Sequence, residues 1–170
     1  MAKKGKVAVI MGSDSDLPVM SEATKILEDY KIPFEVKILS AHRSPEDVVR
    51  FSKNARSKGI KVIIAGAGGA AHLAGVVASH TTLPVIGVPM QTPELKGIDS
   101  LFSTVQMPAG VPVATMSIGK AGAKNAAILA LEILSLEDKT IERKLAAFKK
   151  GLAEAVRKKS RQLYSNKRAF

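Results

Sequence analysis

The chain has no cysteine, no tryptophan, two tyrosines and three histidines in 170 residues. Without cysteine there are no disulfides, no thiolate zinc sites and no cysteine nucleophile. His42, His72 and His80 show no H-x-x-H or H-E-x-x-H spacing, so a His-based metal site would need carboxylate help and none is expected. Long apolar runs are also missing. Behind the basic start Met1–Lys6, the run Val7 to Met11 is too short for the apolar region of a signal peptide and reads as a first strand. No stretch reaches membrane-span length. A cytoplasmic location, with no membrane partner, is the expectation.

What is present is the composition of a globular domain, 46% hydrophobic and 24% charged. The length suits one domain over 1–170, with a core at about 6–136 and no linker. The net charge of +11 is uneven: from Glu137 onward 11 basic residues face 4 acidic ones. In that segment, about 137–165, Ile141, Leu145, Phe148, Leu152 and Val156 recur at helical spacing between lysines and arginines. Such a helix packs its apolar face and leaves a solvated basic one, or contacts nucleic acid or anionic lipid. No aromatic interleaving or nucleic-acid motif supports the second reading, and no nucleic-acid partner is expected.

Strand and helix signals alternate along the chain. Strands are expected at Lys6–Met11, Phe34–Leu39, Lys61–Ala65, Leu83–Val88 and Pro112–Met116. Helices are expected at about Pro18–Tyr30, from Pro45 to about Ser57, from His72 to about Ser79, around Ile98–Val105, and at Ala121–Leu134. Continuous β-branched runs indicate strands buried on both faces, hence a three-layer α/β/α domain with a central parallel sheet and an additional C-terminal helix. The helix at Ala121–Leu134 carries only Lys124 and Glu132 as charges, so burial on more than one side, partly against another subunit, is expected.

Ligands of such folds bind outside the carboxyl ends of the strands. Three loops emerge there. Gly12-Ser13-Asp14-Ser15-Asp16 offers glycine, hydroxyls and helix-start amides suited to phosphate, with a carboxylate for ribose hydroxyls; alternatively Asp16 is a plain N-cap. Ser40-Ala41-His42-Arg43-Ser44-Pro45 places an imidazole and a guanidinium before a helix that Ser44 would cap and Pro45 begin. Imidazole both gives and takes protons near neutral pH, and arginine forks onto phosphate. Gly66-Ala67-Gly68-Gly69-Ala70-Ala71-His72 has a GxGxxA spacing, but follows the third strand, and the next strand ends in Val88-Pro89 without the acidic residue of a dinucleotide site. Its glycines permit close approach to a small ligand. His72 is either a ligand contact or a helix-start residue, and His80 falls on a surface turn. Together the loops indicate proton-transfer chemistry on a phosphorylated, nucleotide-like molecule, without metal or organic cofactor.

These three loops, with Leu83-Pro84-Val85-Ile86-Gly87-Val88-Pro89 and Asp99-Ser100-Leu101 through Gln106-Met107-Pro108, resemble the signatures of the PurE family of purine biosynthesis over roughly residues 6 to 136. The resemblance implies a flavodoxin-like domain, a homo-octamer, and 5-(carboxyamino)imidazole ribonucleotide mutase activity, in which a carboxylate moves from the exocyclic nitrogen to ring carbon 4. It implies His42 as catalytic acid and base. Ser13, Ser15, Ser40 and Arg43 would hold the phosphate, with Ala41 beside them, and Asp16 the ribose. Gly68 and His72 would line the base and carboxylate pocket. Ala74 stands where the family usually has Pro, and Ser44 where it has Thr. The alternatives are a carboxylase acting on aminoimidazole ribonucleotide with carbon dioxide, and a flavodoxin-like phosphate- or flavin-binding module.

Overall fold

A computed structural model describes residues 6–165. Five parallel strands, β1 (Lys6–Met11), β2 (Phe34–Ile38), β3 (Ile60–Ala67), β4 (Val85–Pro89) and β5 (Ala114–Thr115), form one sheet in the order β2-β1-β3-β4-β5. This is the flavodoxin-like order, with a topological switch between β1 and β3. The helices are α1 (Leu17–Asp29), α2 (Pro45–Asn54), α3 (Leu73–Ser79), α4 (Ile98–Val105), α5 (Lys120–Ser135) and α6 (Lys139–Ser165).

The central strands are buried on both faces because successive side chains point to opposite sides of the pleat. Val7, Val9 and Met11 of β1 join Val62, Ile64, Ile86 and Val88 in a core shared with α1 and α5. Ala8 and Ile10 face the other way and join Ile63, Ala65 and Val85 under α2 and α3. β2 departs from the expectation of burial on both faces. It is an edge strand, and Val36 and Ile38 are 42% and 57% exposed.

Several element ends also move. β5 keeps only two residues of the expected Pro112–Met116, pairing with β4 at Ile86↔Ala114 and Gly87↔Thr115 before the chain turns away. α2 ends at Asn54 and a tight turn at 56–58 closes on Gly59, whose φ of 79° is the left-handed region. Ser44 and Asp16 occupy the residue before their helices, yet neither side chain caps its helix. The Ser44 hydroxyl donates instead to the Ser40 carbonyl and accepts from the Ser40 N–H, both at 3.3 Å. The Asp16 carboxylate accepts from the Ser13 N–H at 3.1 Å. In each case a backbone partner in the preceding loop outcompetes the helix amides.

α5 lies against α1, β3, β4 and α6, burying Ala123, Ala126, Ala127, Ala130 and Leu131 within the chain itself. α6 anchors to this layer through Ile141 and Leu145, and through Lys149 paired with Glu132 at 2.6 Å. The expected inward stripe stops there: Phe148, Leu152 and Val156 are 37%, 54% and 67% exposed. Length accounts only for the last of these. At ~1.5 Å per residue, the 27-residue α6 outruns the 16-residue α5 beneath it, and Val156 is its eighteenth residue. Phe148 and Leu152 emerge from the packing before that limit.

Gly122 sits where α5 begins against the preceding loop, and a Cβ there would collide with the Ser117 carbonyl. Alanine normally stabilises a helix by ~1 kcal/mol over glycine, but overpacking against rigid backbone costs roughly 1–3 kcal/mol. Gly122→Ala is therefore expected to lower Tm by several degrees, at ~2–4 °C per kcal/mol for a chain of this size. Gly66→Ala, whose Cβ would press on the flexible side chains of Met20 and Met90 rather than on backbone, should cost less; thermal unfolding of both variants checks the contrast.

Candidate functional site

Parallel register brings four loops to one level. Met11 lies opposite Ile38 on one side and Gly66 on the other, and Gly66 lies opposite Val88. The loops after β1, β2, β3 and β4 leave this carboxyl edge together and enclose a cavity of about 550 Å³ at the switch point. Ser13, Ser15, Asp16, Ser40, Ala41, His42, Arg43, Gly68 and His72 all line it. His80 does not. It ends α3, with Nδ1 at 2.9 Å from the Val76 carbonyl.

The first loop is a tight turn rather than a plain helix start. Ser13 Oγ accepts from the Ser15 N–H, and Asp16 answers by accepting from the Ser13 N–H, a reciprocal capping box. Asp14 is solvent-facing; its carboxylate accepts from the Ser13 hydroxyl and the Ser15 N–H, which hold its pKa below the ordinary value, with Arg43 adding to the effect. Asp16 behaves oppositely. Partial burial raises its pKa, and the backbone hydrogen bonds it accepts do not fully offset that cost.

Arg43 joins the first two loops. Its Nη2 donates to the Gly12 carbonyl at 3.0 Å, and its Nε to Ser40 Oγ at 3.3 Å. Ser40 Oγ also accepts the Arg43 N–H at 3.1 Å. Part of the fork is thus spent inside the protein, and the remaining N–H groups are left for an anion.

His42 and His72, 30 residues apart in sequence, meet across the cavity: Nε2 of His42 lies 2.8 Å from Nδ1 of His72, with the rings edge to face at 84°. One nitrogen of this pair donates and the other accepts, so the tautomer of one ring sets that of the other.

The fourth loop, Met90–Pro93, was not among the expected site segments, yet Gln91, Thr92 and Pro93 line the same cavity. The signal that finds it is the rule already applied to three strands: β4 also points its carboxyl end at this edge. Among the described residues no cluster of three or more His, Cys, Asp or Glu side chains could hold a metal ion, and no helix is long and apolar enough to cross a membrane.

Fold and loops define a flavodoxin-like α/β protein with a polar ligand cavity at its switch point. The chain belongs to the AIR carboxylase family, whose model matches residues 6–155. It is 54% identical over 162 residues to the N5-carboxyaminoimidazole ribonucleotide mutase of Pyrococcus horikoshii, covering 95% of this chain and 90% of that protein. It is 55% identical over 157 residues to the mutase of Bacillus subtilis, covering 92% and 97%. A crystal structure of Treponema denticola PurE superposes with a TM-score of 0.85 at 29% identity, covering 94% of this chain and 98% of that one.

The electrostatics of Asp16 have a measurable sign. Its folded pKa lies above the ordinary aspartate value near ~3.9, so the native state holds its proton more tightly than the unfolded chain. Stability is lost as pH rises through that window, and the cost of the buried carboxylate is complete above it. Asp16→Asn, which keeps an acceptor for Ser13, is expected to leave Tm at pH 7 unchanged or raised, and the difference to vanish below about pH 4. Thermal melts across pH 3–8 check this.

Proposed function

We propose that this chain is a mutase of purine biosynthesis that converts 5-(carboxyamino)imidazole ribonucleotide to 4-carboxy-5-aminoimidazole ribonucleotide in the cavity at the switch point. The observation that carries the reading is more than 50% identity to curated mutases over nearly the full length of both chains. The four-loop cavity, with an imidazole pair at its centre, is supporting geometry.

The chemistry follows from the groups present. His42, protonated, delivers its proton to the exocyclic nitrogen as the nitrogen–carboxyl bond breaks, releasing carbon dioxide and the amine. Ring carbon 4 then attacks carbon dioxide, forming the carbon–carbon bond. His42, left neutral by the first step, removes the proton from that carbon. One imidazole serves both steps because the first leaves it in the state the second requires. The carboxyl group arrives already activated, so no cofactor or metal takes part in this sequence.

In this reading Ser13, Ser15, Ser40 and the unspent N–H groups of Arg43 hold the phosphate, aided by backbone amides such as that of Ala41. Asp16 accepts the ribose hydroxyls. Gly68 and His72 line the space where carbon dioxide is retained. In the same reading the chain is a cytoplasmic homo-octamer; exposed apolar groups on α4 (Ile98, Phe102, Val105) and on α6 (Phe148, Leu152, Val156) offer surface for subunit contacts.

A second reading, direct use of carbon dioxide with aminoimidazole ribonucleotide, is the activity the family's description names, AIR carboxylase, but the relatives of more than 50% identity are mutases. Offering each substrate separately decides. Rapid consumption of the carbamate is expected; efficient use of bicarbonate with the uncarboxylated ribonucleotide, and not of the carbamate, overturns the mutase reading.

Two variants test the assigned roles. His42→Asn is expected to abolish turnover while ribonucleotide binding, measured by calorimetry, persists; near-normal turnover removes His42 from the mechanism. Arg43→Ala loses charge-assisted hydrogen bonds worth ~1.5–3 kcal/mol, so KM should rise roughly 10- to 100-fold with a smaller effect on kcat. An unchanged KM argues against its phosphate role.

A further inference from the structure

α4 does not line the cavity, yet its inward side chains grip two of the loops that do. Ser100, completely buried, accepts the N–H of Gly69 on Oγ at 2.9 Å. Ser103 Oγ reaches the Gly69 carbonyl at 3.3 Å, although its shorter bond, 2.8 Å, goes to the Asp99 carbonyl. One peptide residue is thus held on both its donor and its acceptor. Asp99 accepts from the Thr92 hydroxyl at 2.9 Å, which ties the Gln91–Pro93 wall to the same helix.

Gly69 is the residue such a hold would need to fix. Its φ of 63° is left-handed, and from it the chain makes two narrow turns, Ala71 N–H to Gly69 carbonyl and His72 N–H to Ala70 carbonyl, each 2.8 Å. These turns deliver His72 to His42. The path from Ser100 to the imidazole pair is therefore a run of short backbone hydrogen bonds with a single glycine as its adjustable joint.

We propose that Ser100 is a positioning residue of the mutase: by holding the Gly69 N–H it sets the 68–72 loop, and through it the contact between His72 and His42. Without the hydroxyl, the Gly69 N–H turns toward whatever acceptor it can reach, and the loop turns with it. Misplacement of a reacting geometry by about 1 Å costs on the order of 100-fold in rate. The phosphate and ribose contacts, on the loops after β1 and β2, stay in place. The role in catalysis rests on the mutase reading; the effect on the imidazole contact does not.

The test uses the full-length chain with Ser100→Ala, Ser100→Thr and Ser103→Ala. Turnover of the carbamate, KM, Tm and the ¹⁵N spectra of the imidazoles are measured. Ser100→Ala is expected to lower kcat at least ~10-fold, with KM within about threefold and Tm within a few degrees. The hydrogen-bonded imidazole signature of wild type should be lost, and Ser100→Thr, which keeps the oxygen, should restore both. Ser103→Ala, removing the longer contact, should show the same changes to a smaller degree, and it carries the test if the Ser100 variants fail to fold. Unchanged kcat and unchanged imidazole spectra in Ser100→Ala overturn the proposal. So does a joint fall of kcat, KM quality and Tm that Ser100→Thr does not rescue, which marks a merely structural serine. If wild type does not turn over the carbamate, the functional reading fails by itself, and the imidazole spectra still decide whether Ser100 sets the contact.

Discussion

The parallel register of β1 between β2 and β3 is the constraint on which the site depends. Because Met11 pairs with both Ile38 and Gly66, the loops that follow begin at the same height, and no long connection is needed to bring them together. A slip of one residue would turn every side chain of β1 to the opposite face. Val7, Val9 and Met11 would exchange places with Ala8 and Ile10 beneath helices of different shape, so the two cores enforce the register that the site requires.

Above that platform the loops are braced by one another. Gly12 donates its N–H to the Gly66 carbonyl and receives Arg43 on its own carbonyl, while Met90 N–H reaches the Ala67 carbonyl. The four loops are therefore linked in a row, not independent of one another. On the proposed route, whose intermediate is small, neutral and diffusible, such bracing would hold the reacting ring in place while carbon dioxide forms.

Much of this was readable in the residues. Glycines and hydroxyls after strand signals marked three of the four loops, because phosphate sites at helix starts need those residue types. The fourth loop carries no such mark; Gln91 and Thr92 belong to the cavity through topology alone. The cap expected of Ser44, and the alternative reading of Asp16 as a plain N-cap, failed for a local reason. A short polar side chain reaches loop amides as easily as helix amides, and sequence spacing does not say which is nearer. The His42–His72 contact and the hold of Ser100 on Gly69 span about 30 residues, where only the folded sheet sets the distance. The stripe on α6 was read correctly as helical, but periodicity reports a face and not what lies opposite it.

That helix divides into two stretches with different obligations. Up to Leu145 it answers to the core, so a substitution there is felt by α5 and, through β3 and β4, by the loops of the cavity. Beyond it, no described residue of the same chain constrains the helix by packing into a core, and the family model that begins at residue 6 ends at 155, ten residues before the helix does. The distal turns, with lysines and arginines around the exposed Phe148, Leu152 and Val156, answer to whatever lies outside the chain's own core.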